Sequence, residues 1–205
     1  RTFDLVVDIR FRSQLQVVYK PKKRFLCVAR TSPEIPRGQG GHVLEYIQIQ
    51  KEDDAQFRQL LDMWIPYCRE IGSTENDAAL AEGAQKRGNI QGNREDMHFE
   101  LSFADGNLVG FCFYAVDLGG IRGVLPPNLG YIMEFYVLPQ YRRRGFGTEM
   151  YRHIESTFSK HGVESIYLTP DETSGEPFWV SLGFVDSGKV DPDNNRPIYI
   201  KKIKQ

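Results

Sequence analysis

The sequence is poor in cysteine, and the cysteines it has form no pattern. Cys27, Cys68 and Cys112 are the three present. With no CxxC and no Cys/His spacing, they argue against a zinc site or a disulfide framework and for reduced, partly buried thiols. Long apolar runs are missing as well. The longest, residues 108–116, falls well short of the ~20 residues a helix needs to cross a bilayer. Residues 1–11 interleave charges with apolar positions, so no signal-peptide pattern is visible and the expected compartment is the cytoplasm, with no membrane partner. There is no excess of charge either: 26 basic and 27 acidic residues leave a formal charge of −1. What is present is a 40% hydrophobic, 12% aromatic chain of 205 residues. That content excludes a wholly disordered chain and provides for one ordinary domain plus an extension, or two very small domains.

The two ends of the chain differ in charge. Residues 1–42 carry nine Lys/Arg against three Asp/Glu, and residues 43–205 carry seventeen against twenty-four. A Pro/Gly-rich stretch, residues 31–41, reads as a linker between them. The expected organisation is therefore a basic N-terminal extension of unknown role, 1–42, and a folded domain, 43–205. The extension has strand-like runs at 3–9 and 15–19 and a basic run, Lys20-Pro21-Lys22-Lys23-Arg24. Without interleaved aromatics that run reads as a solvated surface, which argues against nucleic acid as a partner.

From Glu45 the pattern becomes regular. A short strand is expected at 45–50 and a helix at 53–70, with Phe57, Leu60, Leu61, Trp64 and Cys68 at helical spacing. A second helix is expected at 76–87, ending near Gly88. Strand-like runs at 97–103 and 108–116 flank Asp105-Gly106, a strong hairpin signal. A further strand is expected at 131–138, a helix at 147–160, a strand at 164–169, a short helix at 176–182, and strands at 184–188 and 198–203. The order β-α-α-β-β-β-α-β-α-β-β predicts an α+β fold: a mixed, mostly antiparallel sheet with a central βαβ crossover.

The most informative stretch is Met133-Glu134-Phe135-Tyr136-Val137-Leu138-Pro139-Gln140-Tyr141-Arg142-Arg143-Arg144-Gly145-Phe146-Gly147-Thr148. An apolar strand stops at Pro139, a basic turn with glycines follows, and a helix begins at once. Glycine lets backbone N–H groups approach a ligand closely. The first helical turn offers unsatisfied donors and a partial positive charge. Such a turn can cradle a pyrophosphate. A nucleotide P-loop is excluded because no GKS or GKT follows. A dinucleotide fingerprint lacks its third glycine.

Arg142-Arg143-Arg144-Gly145-Phe146-Gly147 matches the Q/R-x-x-G-x-G/A motif of the GNAT superfamily of acyl-CoA N-acyltransferases. Pro177-Phe178-Trp179-Val180-Ser181-Leu182-Gly183-Phe184 resembles the later F-Y-x-x-x-G-F signature of that family. With the order of elements, the resemblance covers about residues 45–203. It implies a GNAT-like fold with acetyl-CoA as co-substrate in a V-shaped gap between the strands at 131–138 and 164–169, and no metal. Arg142, Arg143, Arg144, Gly145, Phe146, Gly147 and Thr148 would form the diphosphate site. Phe135 and Val137 would hold the pantetheine arm through their main chain, and the Phe135 N–H would also stabilise the oxyanion.

An attacking amine must shed a proton, because a lysine-like amine has a pKa near ~10.4. Glu134, the one carboxylate of the approach strand, is the first candidate base, with Glu100 and a water chain as alternatives. Strict alternation puts Tyr131, Met133 and Phe135 opposite Glu134. Trp179 stands where the family often has a tyrosine that protonates the departing thiolate, and its indole N–H cannot take that role. The asparagine usual upstream is replaced near Glu172. Cys112, with nothing beside it in sequence to activate it, reads as a core residue. The expected activity is acetyl transfer from acetyl-CoA to a primary amine by direct attack in a ternary complex; the alternative is a non-catalytic acyl-CoA-binding module. The expected acceptor is a small-molecule or peptide amine, chosen by residues near 71–95 and 117–129. A homodimer is left open.

Overall fold

The computed structural model describes residues 43–49, 54–91, 94–119, 121, 124–171 and 175–203. The extension 1–42, with its expected strands, basic run and Cys27, lies outside them, as does Glu172. The described elements run β1 (Glu45–Gln48), α1 (Asp54–Glu70), α2 (Asp77–Gln91), β2 (Met97–Ala104), β3 (Asn107–Asp117), β4 (Leu129–Val137), a 3-10 turn (Pro139–Tyr141), α3 (Phe146–Lys160), β5 (Ser165–Leu168), α4 (Glu176–Ser181), β6 (Val185–Val190) and β7 (Pro197–Lys202). Their order is the expected one. One seven-stranded sheet results, ordered β1-β2-β3-β4-β5-β7-β6. Every pairing is antiparallel except β4 with β5, which α3 joins as a crossover.

Local sequence accounts for most of these elements. Asp105 and Gly106 take positive φ (49° and 74°), the geometry of a two-residue hairpin turn. On α1, the buried Leu60, Met63, Trp64 and Cys68 form one stripe at helical spacing against Phe99, Phe111 and Tyr136 of the sheet. On the opposite face, Met150, Tyr151, Ile154 and Phe158 of α3 pack against Tyr114, Ile132, Ile166 and Leu168. The sheet is thus covered by α1 and α2 on one side and by α3 and α4 on the other.

The second helix runs past its expected end. Gly88 is internal to α2 and buried, in a stripe with Leu80, Ala84 and Gln91. The side chain of Gln91 holds the last turn in place: its amide donates to the Ile49 carbonyl and its Oε1 accepts the Phe99 N–H at 2.5 Å. These tertiary bonds outweigh the ~1 kcal/mol helix penalty of one glycine.

The sheet opens at its centre. β4 pairs with β5 only at Gly130↔Ile166 and Tyr131↔Tyr167. Beyond that point β4 continues for six residues, to Val137, along β3 alone.

Candidate functional site

The strand that borders the opening is irregular. Phe113 faces Glu134 across the β3–β4 ladder, but the next residue, Tyr114, faces Ile132, so Met133 is an extra residue on β4. A bulge of this kind resets the alternation of side chains. Ile132, Phe135 and Val137 pack toward α3 and α4. Met133 and Tyr136 pack toward α1, and Glu134 points the same way, to Tyr67 and Arg87. The expected opposition of Met133 to Glu134 is therefore overturned, because strict period-two alternation does not survive a bulge. Phe135 does lie opposite Glu134, as expected.

Both oxygens of Glu134 are engaged. The Tyr67 hydroxyl donates to Oε2, and Arg87 Nη2 donates to Oε1 at 2.9 Å. The guanidinium of Arg87 in turn lies 4.8 Å from the centre of the Trp64 ring and donates to the Gly83 carbonyl at 3.2 Å. Burial, followed by the nearby Glu134 charge, raises the Tyr67 phenol well above its ordinary range. It therefore stays protonated and remains a donor at neutral pH.

The turn after β4 places a helix start beside the opening. The Leu138 N–H closes the strand on the Val109 carbonyl at 2.9 Å, and Pro139 begins the 3-10 turn. Arg143 and Gly145 both take left-handed backbone conformations, with φ 60° and 88°. Gly145 is the N-cap of α3 and supplies no capping side chain. The helix's own bonding begins with the Glu149 N–H on the Gly145 carbonyl at 3.1 Å, so the amides of Gly147 and Thr148 precede the ladder. Phe146 is fully buried and meets Tyr141 edge to face, which anchors the first turn. A Cβ on Gly147 would lie 3.2 Å from the Phe178 ring and 3.6 Å from Val137, so glycine keeps this surface low. Arg143 and Arg144 are exposed, and Thr148 is half-buried.

Arg142, expected in the diphosphate site, has its side chain bonded within the protein. Its guanidinium forks onto Glu70 at 2.7 and 2.8 Å, its Nε–H donates to the Val137 carbonyl at 2.8 Å, and it lies 5.3 Å from the Tyr136 ring centre. Its backbone N–H bonds the Pro139 carbonyl at 3.3 Å. The side chain of Arg142 thus ties the turn to the end of α1 and to β4. Hydrogen bonds from Arg142 also hold the Glu70 carboxyl below its ordinary range.

Glu100 belongs to a different cluster. It is buried, with His153 Nε2 at 2.9 Å, the Tyr114 hydroxyl at 3.1 Å and His98 Nδ1 at 3.5 Å. Burial opposes ionisation there, but the hydrogen bonds and charges of His153 and His98 prevail and bring the carboxyl down to about 2. A carboxylate so stabilised is a poor proton acceptor. It also shares a sheet face with Cys112 and Tyr114, the face turned away from Glu134. The alternative of Glu100 as base is therefore set aside. Cys112 is fully buried, and burial pushes its thiol well up, in keeping with a core residue. Trp179, 6% exposed, is enclosed by Phe135, Tyr151, Phe178 and Phe184, with ring centres 4.9 to 6.0 Å away.

Sequence reasoning missed Tyr67, Glu70 and Arg87. Tyr67 and Glu70 stand one turn apart on α1, a spacing visible in the sequence, but their partners lie 67 and 72 residues away. Only the bulge and the return of β4 beneath α1 and α2 bring them together.

A family model described as "Acetyltransferase (GNAT) family" matches residues 57–184. None of the curated proteins matches the sequence. Among solved structures, the chain resembles PaiA N-acetyltransferase from Thermoplasma acidophilum in complex with coenzyme A, at 20% identity and TM-score 0.56, over 78% of this chain and 99% of that one. An acetyltransferase from Thermus thermophilus is similar at 14% identity and TM-score 0.60, over 78% and 99%. An aminoglycoside N-acetyltransferase in complex with CoA is similar at 15% identity and TM-score 0.56, over 75% and 95%. At these identities the likeness is one of fold.

Proposed function

Because the chain belongs to the acetyltransferase (GNAT) family, we propose that it transfers the acetyl group of acetyl-CoA to a primary amine by direct attack in a ternary complex. The observation that carries this reading is the parting of β4 from β5 after Tyr131, with the first turn of α3 following at the far end of the same strand. In this reading the backbone N–H groups from Arg143 to Thr148 take the diphosphate, with Arg143 and Arg144 adding long-range attraction. Arg142 serves through the turn it braces rather than by direct contact. The side of β4 that β5 leaves uncovered at Phe135 and Val137 takes the pantetheine arm through its main chain, where the Val137 carbonyl also accepts the Arg142 Nε–H.

The chemistry then follows from the two faces of β4. Nitrogen attacks the thioester carbonyl, the oxygen gains negative charge, and the Phe135 N–H stabilises it. The amine proton goes to Glu134, which Tyr67 and Arg87 hold in one orientation. The tetrahedral centre collapses with loss of the CoA thiolate. That thiolate, whose conjugate thiol has a pKa near ~8.5, takes its proton from solvent or from the proton released by the amine. Trp179 is a wall of the cleft in this scheme and donates nothing.

The acceptor class we propose is a small-molecule or peptide amine, in a cytoplasmic setting. A fold shared with an aminoglycoside N-acetyltransferase supports the small-molecule arm of that class. The test is to incubate the chain with acetyl-CoA and a panel of aminoglycosides, polyamines and peptides and to follow release of free thiol. Amine-dependent release is the expected result. CoA binding by calorimetry without release across the panel would favour the non-catalytic acyl-CoA-binding module, and no binding at all would sink both.

A further inference from the structure

The turn that leads into α3 is strained and needs support. Arg143 takes a left-handed conformation (φ 60°) that is strained for a residue with a side chain, and such a residue persists only where its surroundings over-determine it. Gly145 is left-handed as well, two positions on. The immediate neighbour of this strained pair is Arg142, whose guanidinium is fixed from three directions. Both oxygens of Glu70 receive it, the Val137 carbonyl receives its Nε–H, and the Tyr136 ring lies beneath it. Tyr136 also donates to Glu70 Oε2 at 3.3 Å, so the carboxylate binds strand and turn together.

We infer that Glu70, the last residue of α1, is a positioning residue for the diphosphate-binding turn and acts through Arg142. An isolated surface ion pair contributes little. This one is bidentate, joined to a main-chain carbonyl and an aromatic face, and attached next to the strained residue, so its geometry is passed directly to the amides of α3. The consequence is that α1 and the CoA-binding turn, about seventy residues apart in the chain, form one mechanical unit. The inference rests on the proposed role of that turn in binding CoA.

Electrostatics alone predicts the opposite sign, which makes the inference testable. Removing the negative charge of Glu70 near an anionic ligand, and freeing Arg142, would tighten binding if charge were the only effect. Positioning predicts that Glu70→Gln weakens CoA binding about fivefold to tenfold in calorimetry. Arg142→Gln should weaken it to a similar extent. Glu70→Gln placed on Arg142→Gln should add nothing, because the two act through one contact. Arg142→Lys keeps the charge but not the fork, and should still bind more weakly. Melting temperatures near that of the unaltered chain confirm that each variant is folded. Equal or tighter CoA binding by Glu70→Gln, or additive losses in the double variant, would overturn the inference while leaving the proposed site intact. Failure of the unaltered chain to bind CoA would remove the reading beneath it, and the inference with it.

Discussion

Phe178 of α4 stacks on Phe135 of β4 with ring centres 5.6 Å apart and planes inclined by 27°. The same ring closes against Gly147, in the first turn of α3. A single aromatic side chain therefore touches both the strand that borders the opening and the helix start at its end. Glycine at position 147 is what lets the Phe178 ring come this close to the helix start.

Gly145→Glu should abolish CoA binding, by a hundredfold or more. It places a carboxylate at the proposed diphosphate site and forces a side chain into a left-handed position with φ 88°. Calorimetry with CoA checks this, and unaltered affinity in a folded variant would remove the turn from the site.

Glu134→Gln keeps the shape of the side chain and one acceptor oxygen for Tyr67 or Arg87, but it cannot take a proton. Turnover should fall by about 10² to 10⁴, the usual contribution of a general base. CoA affinity should be retained, since Glu134 lies on the α1 face of β4. Thiol release under saturating acetyl-CoA, beside calorimetry on the same variant, separates the two effects.

Trp179→Phe tests whether the indole packs or reacts. Its enclosure by four aromatic rings makes packing its work. The substitution should cost about 1–3 kcal/mol in urea denaturation, as other reductions of a packed core side chain do. A variant of unchanged stability with lost turnover would contradict the packing role.

Glu100 sets an acid limit on the fold. Its folded-state value, about 2, lies below the ordinary 4.5, so the stability it contributes is present above about pH 4.5 and is lost as pH falls toward 2. The difference corresponds to a few kcal/mol, on the order of 3. Glu100→Gln should be less stable than the unaltered chain at pH 7, and the gap should narrow progressively between pH 4.5 and 2. Urea midpoints measured across that range check it, and a gap constant with pH would exclude Glu100 as the source.

The element order was legible because hydrophobic periodicity and the Asp105-Gly106 turn are local signals, and the structure contains both. The helix start after Pro139 was legible for the same reason. Gly88 misled because glycine stops a helix only where nothing else holds it, and Gln91 reaches Ile49 and Phe99 from further along the chain. The bulge at Met133 arises from register between β3 and β4, a property of two strands that neither sequence carries alone. The diversion of Arg142 to Glu70 was equally hidden, since a basic run gives no sign of which of its members will find a carboxylate.

The parting of β4 from β5 has an evolutionary reading. A donor gripped by backbone ribs is recognised through extended geometry rather than through the identity of the side chains beside it. On the proposed scheme, the clientele of amines can be rewritten near residues 71–95 and 117–129 while the acyl carrier stays the same.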